Sequence, residues 1–216
     1  MAYARLTGVT HYAPENAHDS LVLFTGADSI TRLIALDGTV VREWPHAGVP
    51  PRLLDPALTG GRRGDVGVQL GESGDGRGGI YANGTVGQLD WSGEVVWEWG
   101  RQAPGGAARQ NHDWQLLPNG NRLLLVTVPR VVTPLGIAAA VGDQGLYEVD
   151  PDGAIVWQWL AGDHLDEFGF SDAGWAAFRA PAPRDPQDPR GVDEINSATP
   201  QVATLTTCPS PAASIA

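Results

Sequence analysis

One hairpin pattern occurs three times in the chain and limits the folds open to it. Each copy joins an apolar run to a strand rich in β-branched and aromatic residues through a turn that ends in Gly38, Gly93 or Gly153. Asp and Gly between apolar runs favour β-hairpins. The turn glycines lie 55 and 60 residues apart. A repeat of that length holding several strands predicts an all-β fold that is β-propeller-like, with about three blades.

The second and third hairpins end in paired tryptophans. Trp97 and Trp99 alternate with one polar residue, as do Trp157 and Trp159. Because successive side chains of a strand point to opposite faces, both indoles of a pair share one face. We expect these indoles to pack between repeats rather than to stack on a ligand.

A further strand-turn-strand carries the best candidate for chemistry. Residues 115–117 and 123–128 are apolar runs, and 118–121 (PNGN) between them is typical of a tight turn. The polar residues Asn111, His112 and Asp113 are expected at the mouth of the first of these strands. On a regular strand, Asp113 and His112 would face opposite sides, so that another group would have to orient the imidazole.

The composition excludes some classes of partner. Its 216 residues carry a net charge of −11 at pH 7, with a pI near 4.7, which argues against nucleic acid and anionic membranes. The single cysteine, Cys208, allows no intrachain disulfide. There is no apolar run of about 18 residues that would span a bilayer. The N-terminus shows no signal-peptide pattern, so a cytoplasmic location is expected for the chain as written.

The domain organisation follows from a change in composition. We predict a partial β-propeller domain over residues 1–170 and an irregular, Pro/Ala-rich segment over 171–216, much of it disordered. A short helical insertion is expected near 171–179, with Ser171 as its N-cap.

Seven strings together resemble the arylsulfotransferase family, the aryl-sulfate sulfotransferases and their relatives. They are residues 8–12 (GVTHY), 23–25 (LFT), 89–93 (LDWSG), 112–121 (HDWQLLPNGN), 148–153 (EVDPDG), 157–159 (WQW) and 164–166 (HLD). The string at 112–121 is long and fairly specific, whereas the hairpins alone occur in many propellers. The likeness covers roughly residues 7–167 and reappears weakly at 195–197.

The resemblance implies a six-bladed propeller with its active site at the central channel. It also implies transfer of a sulfuryl group from a phenolic sulfate ester to a phenol without a nucleotide donor. In the family, a histidine accepts the group covalently, and His112 matches the histidine of the strongest motif. The expected substrate-binding residues are Arg109, Asn111, Arg130 and His164. The expected partners are therefore an aryl sulfate and a phenol, and neither a cofactor nor a metal is expected.

Two departures lower the expected activity. Asn111 stands where the family commonly has a second histidine, and Glu194 stands where it usually has one before Asn-Ser. A glutamate there would repel a sulfate ester. The chain also stops where the family's propeller is about half built. A truncated or frame-shifted copy and a divergent half-length member both fit, and we predict weak or no turnover, with a homodimer as one way to close the ring.

Two rival functions stay open from the sequence. The first is a non-catalytic β-propeller that binds a partner or small ligand at its channel. The second is a hydrolase or lyase on a similar propeller that uses His112 as an acid or base. For His112 itself, a catalytic role and a structural polar contact both remain open, whereas for His164 a structural role is favoured.

Overall fold

A computed structural model of the chain describes residues 8–48, 50–70, 84–136 and 140–179. In these residues the protein consists of three antiparallel β-sheets and one α-helix, which confirms the predicted all-β class. The helix α1, Asp172–Arg179, confirms the helix predicted near 171–179. The Ser171 hydroxyl oxygen accepts a hydrogen bond from the backbone N–H of Gly174 at 3.2 Å, which is the predicted N-cap contact.

The first sheet has three strands in chain order. They are β1 (Leu21–Thr25), β2 (Thr31–Ala35) and β3 (Val40–Trp44). Strand β2 pairs with both neighbours in antiparallel fashion, and its register with β3 shifts at Leu33 and Ile34. The hairpin predicted around Asp37 and Gly38 is therefore present.

The second and third sheets have four strands each, again in chain order. The second contains β4 (Arg52–Leu53), β5 (Val66–Gln69), β6 (Val86–Leu89) and β7 (Val95–Trp99). The third contains β8 (Gln110–Leu116), β9 (Arg122–Arg130), β10 (Val141–Val149) and β11 (Ile155–Leu160). Short 3-10 helices lie at Pro14–Asn16, Pro104–Gly106, Thr133–Leu135, Ala161–Asp163 and Leu165–Phe168.

The repeated turns share the conformation and the backbone hydrogen bond of their glycine. Each turn glycine has a left-handed φ that side chains disfavour: +91° at Gly38, +95° at Gly93 and +92° at Gly153. Its N–H donates to the carbonyl three residues earlier. In each turn an aspartate carboxylate accepts a backbone N–H, but its place varies. In the first turn Asp37, next to the glycine, accepts from Thr39 at 2.8 Å, whereas Asp90 and Asp150 lie three residues before their glycines.

The described residues divide into two compact units. The first takes those up to Leu124 together with Val149–Ala154, and the second takes Leu125–Glu148 and those from Ile155 onward. Each unit has its own apolar core. That of the first is built from Leu33, Trp44, Val66, Val68 and Leu89, and that of the second from Val132, Leu135, Val141 and Leu165.

A buried polar chain adds to the first unit. The carboxylate of Asp65 is fully buried and accepts hydrogen bonds from the side chains of Arg62 and Gln88. Gln88 in turn accepts one from Arg122 at 3.2 Å. The Arg122 guanidinium lies 4.3 Å from the ring centroid of Trp97, so a cation covers the face of this indole.

The paired tryptophans differ between repeats. Trp97 and Trp99 are both buried, in line with the packing prediction, and the Trp99 indole N–H donates to the carbonyl of Gly153 at 3.0 Å. In the third repeat, however, Trp157 is 47 % exposed. A shared face therefore does not mean shared burial.

Several predictions concern residues outside the described part. These include the segment 180–216, with Glu194, the 195–197 string and Cys208. The predicted division into residues 1–170 and 171–216 therefore stays a prediction. Among the described residues, no helix has the length and apolar character to cross a bilayer.

Candidate functional site

His112 lies inside strand β8 rather than at its mouth. The strand begins at Gln110, five residues before the apolar run that the sequence singled out. Its polar first half is tied into the fold because Gln110 is buried and accepts a hydrogen bond from the Gln69 amide at 2.8 Å. A paired side-chain amide can thus hold a strand that the hydrophobic pattern does not show.

The backbone at His112 departs from a regular strand. Its φ is +67°, in the left-handed region. By strand alternation His112 would share a face with Gln110 and Trp114, which are both buried, yet His112 is exposed. The left-handed turn therefore takes the imidazole away from the buried face. For a residue with a Cβ, this conformation costs on the order of 1 kcal/mol.

Arg109 shares this strain, and its positive charge has no ion-pair partner in the part of the chain that the structure describes. Its φ is +50°, and the only other described non-glycine residue with positive φ is Ser29. Arg109 is half-buried, and no carboxylate of the described residues pairs with it. The imidazole of His112 likewise has no partner in the described part of the chain. Asn111, between them, is half-buried and already has an interaction of its own.

Asp113 is engaged elsewhere and does not orient His112. The Arg52 guanidinium nitrogen Nη2 lies 3.0 Å from Oδ1 and 2.9 Å from Oδ2 of Asp113. The Oδ1 atom also accepts the backbone N–H of Trp114 at 2.8 Å. Sequence reasoning missed Arg52 because it lies 61 residues before Asp113 and in no motif.

Two buried polar atoms beside β8 have no partner among the described residues. They are the Nε atom of Arg52 and the Oε1 atom of Gln69. Buried polar atoms are nearly always satisfied, and exceptions concentrate where strain or function demands them. These two belong to the same side chains that contact Asp113 and Gln110, on either side of His112.

Arg130 is in a different electrostatic state. Its Nε donates to Asp143 and its Nη2 to Asp163, each at 2.6 Å. Asp143 is almost fully buried and also accepts the N–H of Gly162 at 2.9 Å. Burial disfavours the charged guanidinium, but the hydrogen bonds that it donates to Asp163 and Asp143 outweigh this effect and raise the pKa of Arg130 above its ordinary value. The positive charge is thus already matched by two carboxylates.

His164 is also committed to local contacts. Its Nδ1 lies 2.7 Å from Oε1 of Glu167, and its ring stacks on Trp159 with centroids 5.0 Å apart and planes 13° from parallel. These contacts agree with the structural reading of this histidine. Its role in substrate binding, like that of Arg130, remains a prediction.

The five predicted site residues fall into two groups. Arg109, Asn111 and His112 lie in the first unit, whereas Arg130 and His164 lie in the second. Within the described ranges, no group of three or more His, Cys, Asp or Glu residues is arranged to hold a metal ion. The residues on and just before β8 therefore include the two predicted site side chains, Arg109 and His112, that have no ion-pair partner in the described ranges.

Comparison with known proteins decides the family. A family model described as arylsulfotransferase (ASST) matches residues 67–194, more than half of the chain. This chain belongs to the arylsulfotransferase family. The matched region includes all five predicted site residues and Glu194, and no curated protein matches the chain.

The solved structures that are similar to part of this chain include one from a bacterium. It is a protein of unknown function from Bacteroides caccae, with 22 % identity and a TM-score of 0.39. The alignment covers 65 % of this chain and 44 % of that one, so the chain spans less than half the length of this relative.

Proposed function

We propose that this chain carries the core of a nucleotide-independent arylsulfotransferase site, with His112 as the residue that accepts the sulfuryl group. In this proposal the three sheets are successive blades of a β-propeller, because each contains the same hairpin with the same turn geometry. Family membership supports the sulfotransferase class. The donor is a phenolic sulfate ester and the acceptor a phenol.

The reaction divides into two displacements at sulfur. In the first, an imidazole nitrogen of His112 attacks the sulfur of the ester, the S–O bond to the aryl group breaks, and a phenolate leaves. In the second, the oxygen of the acceptor phenol attacks the sulfohistidine, the N–S bond breaks, and the phenol proton passes to a base. A neutral imidazole suits the first step, since the ordinary pKa of histidine is near 6.5.

The proposal rests on two side chains at the start of β8, His112 and Arg109, that have no ion-pair partner among the described residues. His112 is exposed and without a partner in the described residues, and a cationic side chain with no described carboxylate lies three residues before it. Both have the left-handed backbone that concentrates at functional sites. The Arg109 guanidinium has the planar donors that match sulfate oxygens and would stabilise their charge during transfer.

Turnover is proposed to be weak because two family histidines are replaced. Asn111 offers an amide instead of a second imidazole, and Glu194 adds negative charge. The sulfohistidine would then form slowly and persist. Single-turnover labelling is therefore a sharper assay than steady-state release of product.

The test is to incubate the full chain with excess 4-nitrophenyl sulfate and to measure the intact mass after rapid quenching. The proposal expects a mass increase of one SO3 group, located to the peptide that contains His112. His112→Ala removes the adduct, whereas His18→Ala, at an exposed histidine outside the site, keeps it. Labelling that survives His112→Ala would overturn the assignment.

A non-catalytic binding module is the second candidate. It is favoured by Arg130 and His164, because both already pair with carboxylates, those of Asp143, Asp163 and Glu167, so two groups expected to assist the transfer are engaged elsewhere. Under this alternative, 4-nitrophenyl sulfate binds reversibly, as seen by calorimetry, and no covalent adduct forms on any residue.

A further inference from the structure

The strained backbone at His112 requires neighbouring contacts that hold it. A φ of +67° is unfavourable for histidine, so an unrestrained strand would relax toward ordinary β geometry. Relaxation would return the side chain toward the face that buries Gln110 and Trp114. The exposed position of the imidazole therefore depends on what fixes the residues around it.

The residues around His112 are fixed from the second sheet. Two residues before it, Gln110 accepts the hydrogen bond from Gln69 of β5. One residue after it, both carboxylate oxygens of Asp113 accept hydrogen bonds from the Arg52 guanidinium of β4. All of these residues lie in the first unit. The left-handed residue thus lies between two side-chain anchors.

A third contact fixes the strand beyond the anchors. Trp114 packs against Trp97, with ring centroids 6.0 Å apart, and against the backbone of Gly67. A Cβ added to Gly67 would lie 2.8 Å from the Cζ2 atom of Trp114, so the indole lies directly over this glycine and leaves no room for a side chain there. The contact adds a third restraint on β8, on the C-terminal side of Asp113.

We propose that Arg52 is a positioning residue for the sulfuryl-accepting histidine and acts through Asp113. The ion pair holds the strand in the register that makes His112 left-handed and keeps its imidazole in solvent. Arg52 fixes the direction of the imidazole, and the charge of the sulfate is left to Arg109. This inference rests on the proposed function, because only a histidine used in chemistry requires a fixed direction.

The first test measures labelling by 4-nitrophenyl sulfate in Arg52→Ala. We expect the limiting rate of adduct formation to fall by roughly tenfold or more, while the ester concentration at half-maximal rate stays unchanged, because orientation rather than binding is lost. Arg52→Lys recovers part of the rate, and the exposed control Arg101→Ala matches the unmodified chain. A change confined to the half-maximal concentration would contradict the proposal and make Arg52 a binding residue.

The second test needs no activity, so it separates this inference from the proposed function. Glycine accepts a left-handed φ that alanine resists. We therefore expect His112→Gly to unfold at a higher temperature than His112→Ala. The same pair of substitutions in an Arg52→Ala background should show a smaller difference, because the strand is no longer held. The ion pair is well exposed, so Arg52→Ala is expected to fold.

The two tests have distinguishable failures. If the unmodified chain forms no adduct but the difference between glycine and alanine depends on Arg52, the proposed function fails and the structural role of Arg52 stands. If the difference is the same with and without Arg52, the positioning inference is wrong even when the adduct forms.

Discussion

The chain presents the same pair of residue types, an arginine and a histidine, in two regions with opposite electrostatic states. Before and within β8, Arg109 and His112 have no carboxylate partner in the described residues, and their backbone is strained. In the second unit, Arg130 bridges Asp143 and Asp163, and His164 contacts Glu167. The residue types alone would assign both regions to anion binding. The two regions differ in whether these side chains already pair with carboxylates.

The difference has an energetic consequence. A sulfate that binds Arg109 replaces water, whereas one that binds Arg130 must displace two carboxylates hydrogen-bonded at 2.6 Å. Displacement would also leave the buried Asp143 without its cation, which is costly in a poorly solvated site. Arg130 is therefore better suited to stabilising the second unit, and Arg109 to meeting a ligand.

The two arginines should differ most in how much each contributes to the stability of the fold. Arg130→Ala leaves the buried Asp143 carboxylate with the N–H of Gly162 as its only donor among the described residues, so the free energy of unfolding should fall by about 3 kcal/mol. Arg109→Ala removes no ion pair found among the described residues and should change stability by less than about 0.5 kcal/mol. Urea titration followed by tryptophan fluorescence measures both. Equal losses would mean that the two arginines are not in different states.

The rate of labelling should depend on the guanidinium of Arg109. Arg109→Ala should slow labelling by 4-nitrophenyl sulfate roughly tenfold, since the charge that faces the sulfate oxygens is lost. Arg109→Lys keeps a charge but not the planar donors and should fall between the two. The matched control is Arg101→Ala, which removes an exposed arginine from the turn after β7. If Arg101→Ala slows labelling as much, the effect comes from overall charge.

The smallest effect concerns a histidine whose surroundings differ from those of His112. His46 is half-buried, and burial lowers its pKa below the ordinary 6.5. The unfolded chain therefore binds a proton more readily than the folded chain below about pH 6.5, and stability falls as the pH drops through this range. His46→Gln should flatten this part of the curve of unfolding free energy against pH. A curve unchanged by the substitution would contradict the burial argument.

Local chemistry in the sequence predicts much of the fold. The turn glycines located the repeated hairpins, because a left-handed residue at that position is a local requirement of the turn, and a nearby aspartate supplies a carboxylate acceptor in each copy. Ser171 located the start of α1 because an N-cap contact is also local, formed with the N–H three residues later. The start of β8 was missed because Gln110 is held by Gln69, a partner 41 residues away that leaves no periodic signal.

The sequence predicts which residues form the candidate site, but not their backbone conformation or their ion-pair partners. The motif at 112–121 identified His112, and its position led to Arg109. Neither the left-handed backbone nor Arg52 was visible, since both depend on tertiary contacts of β8. For Arg130 and His164, the acidic residues at 163–167 were visible in the sequence, but their pairing was not. The carboxylates that pair with Arg130 lie 13 and 33 residues after it, so no local pattern joins them to this arginine.

The role of His112 is tested by mapping the site of labelling after incubation with 4-nitrophenyl sulfate. Peptide mass spectrometry under mildly alkaline conditions, which preserve sulfohistidine, should find one SO3 group on His112 and none on His164. His112→Ala should remove it, and His18→Ala should not. An unlabelled His112, or an SO3 group on His164, would contradict the claim that the strained and unpartnered histidine of β8 accepts the sulfuryl group.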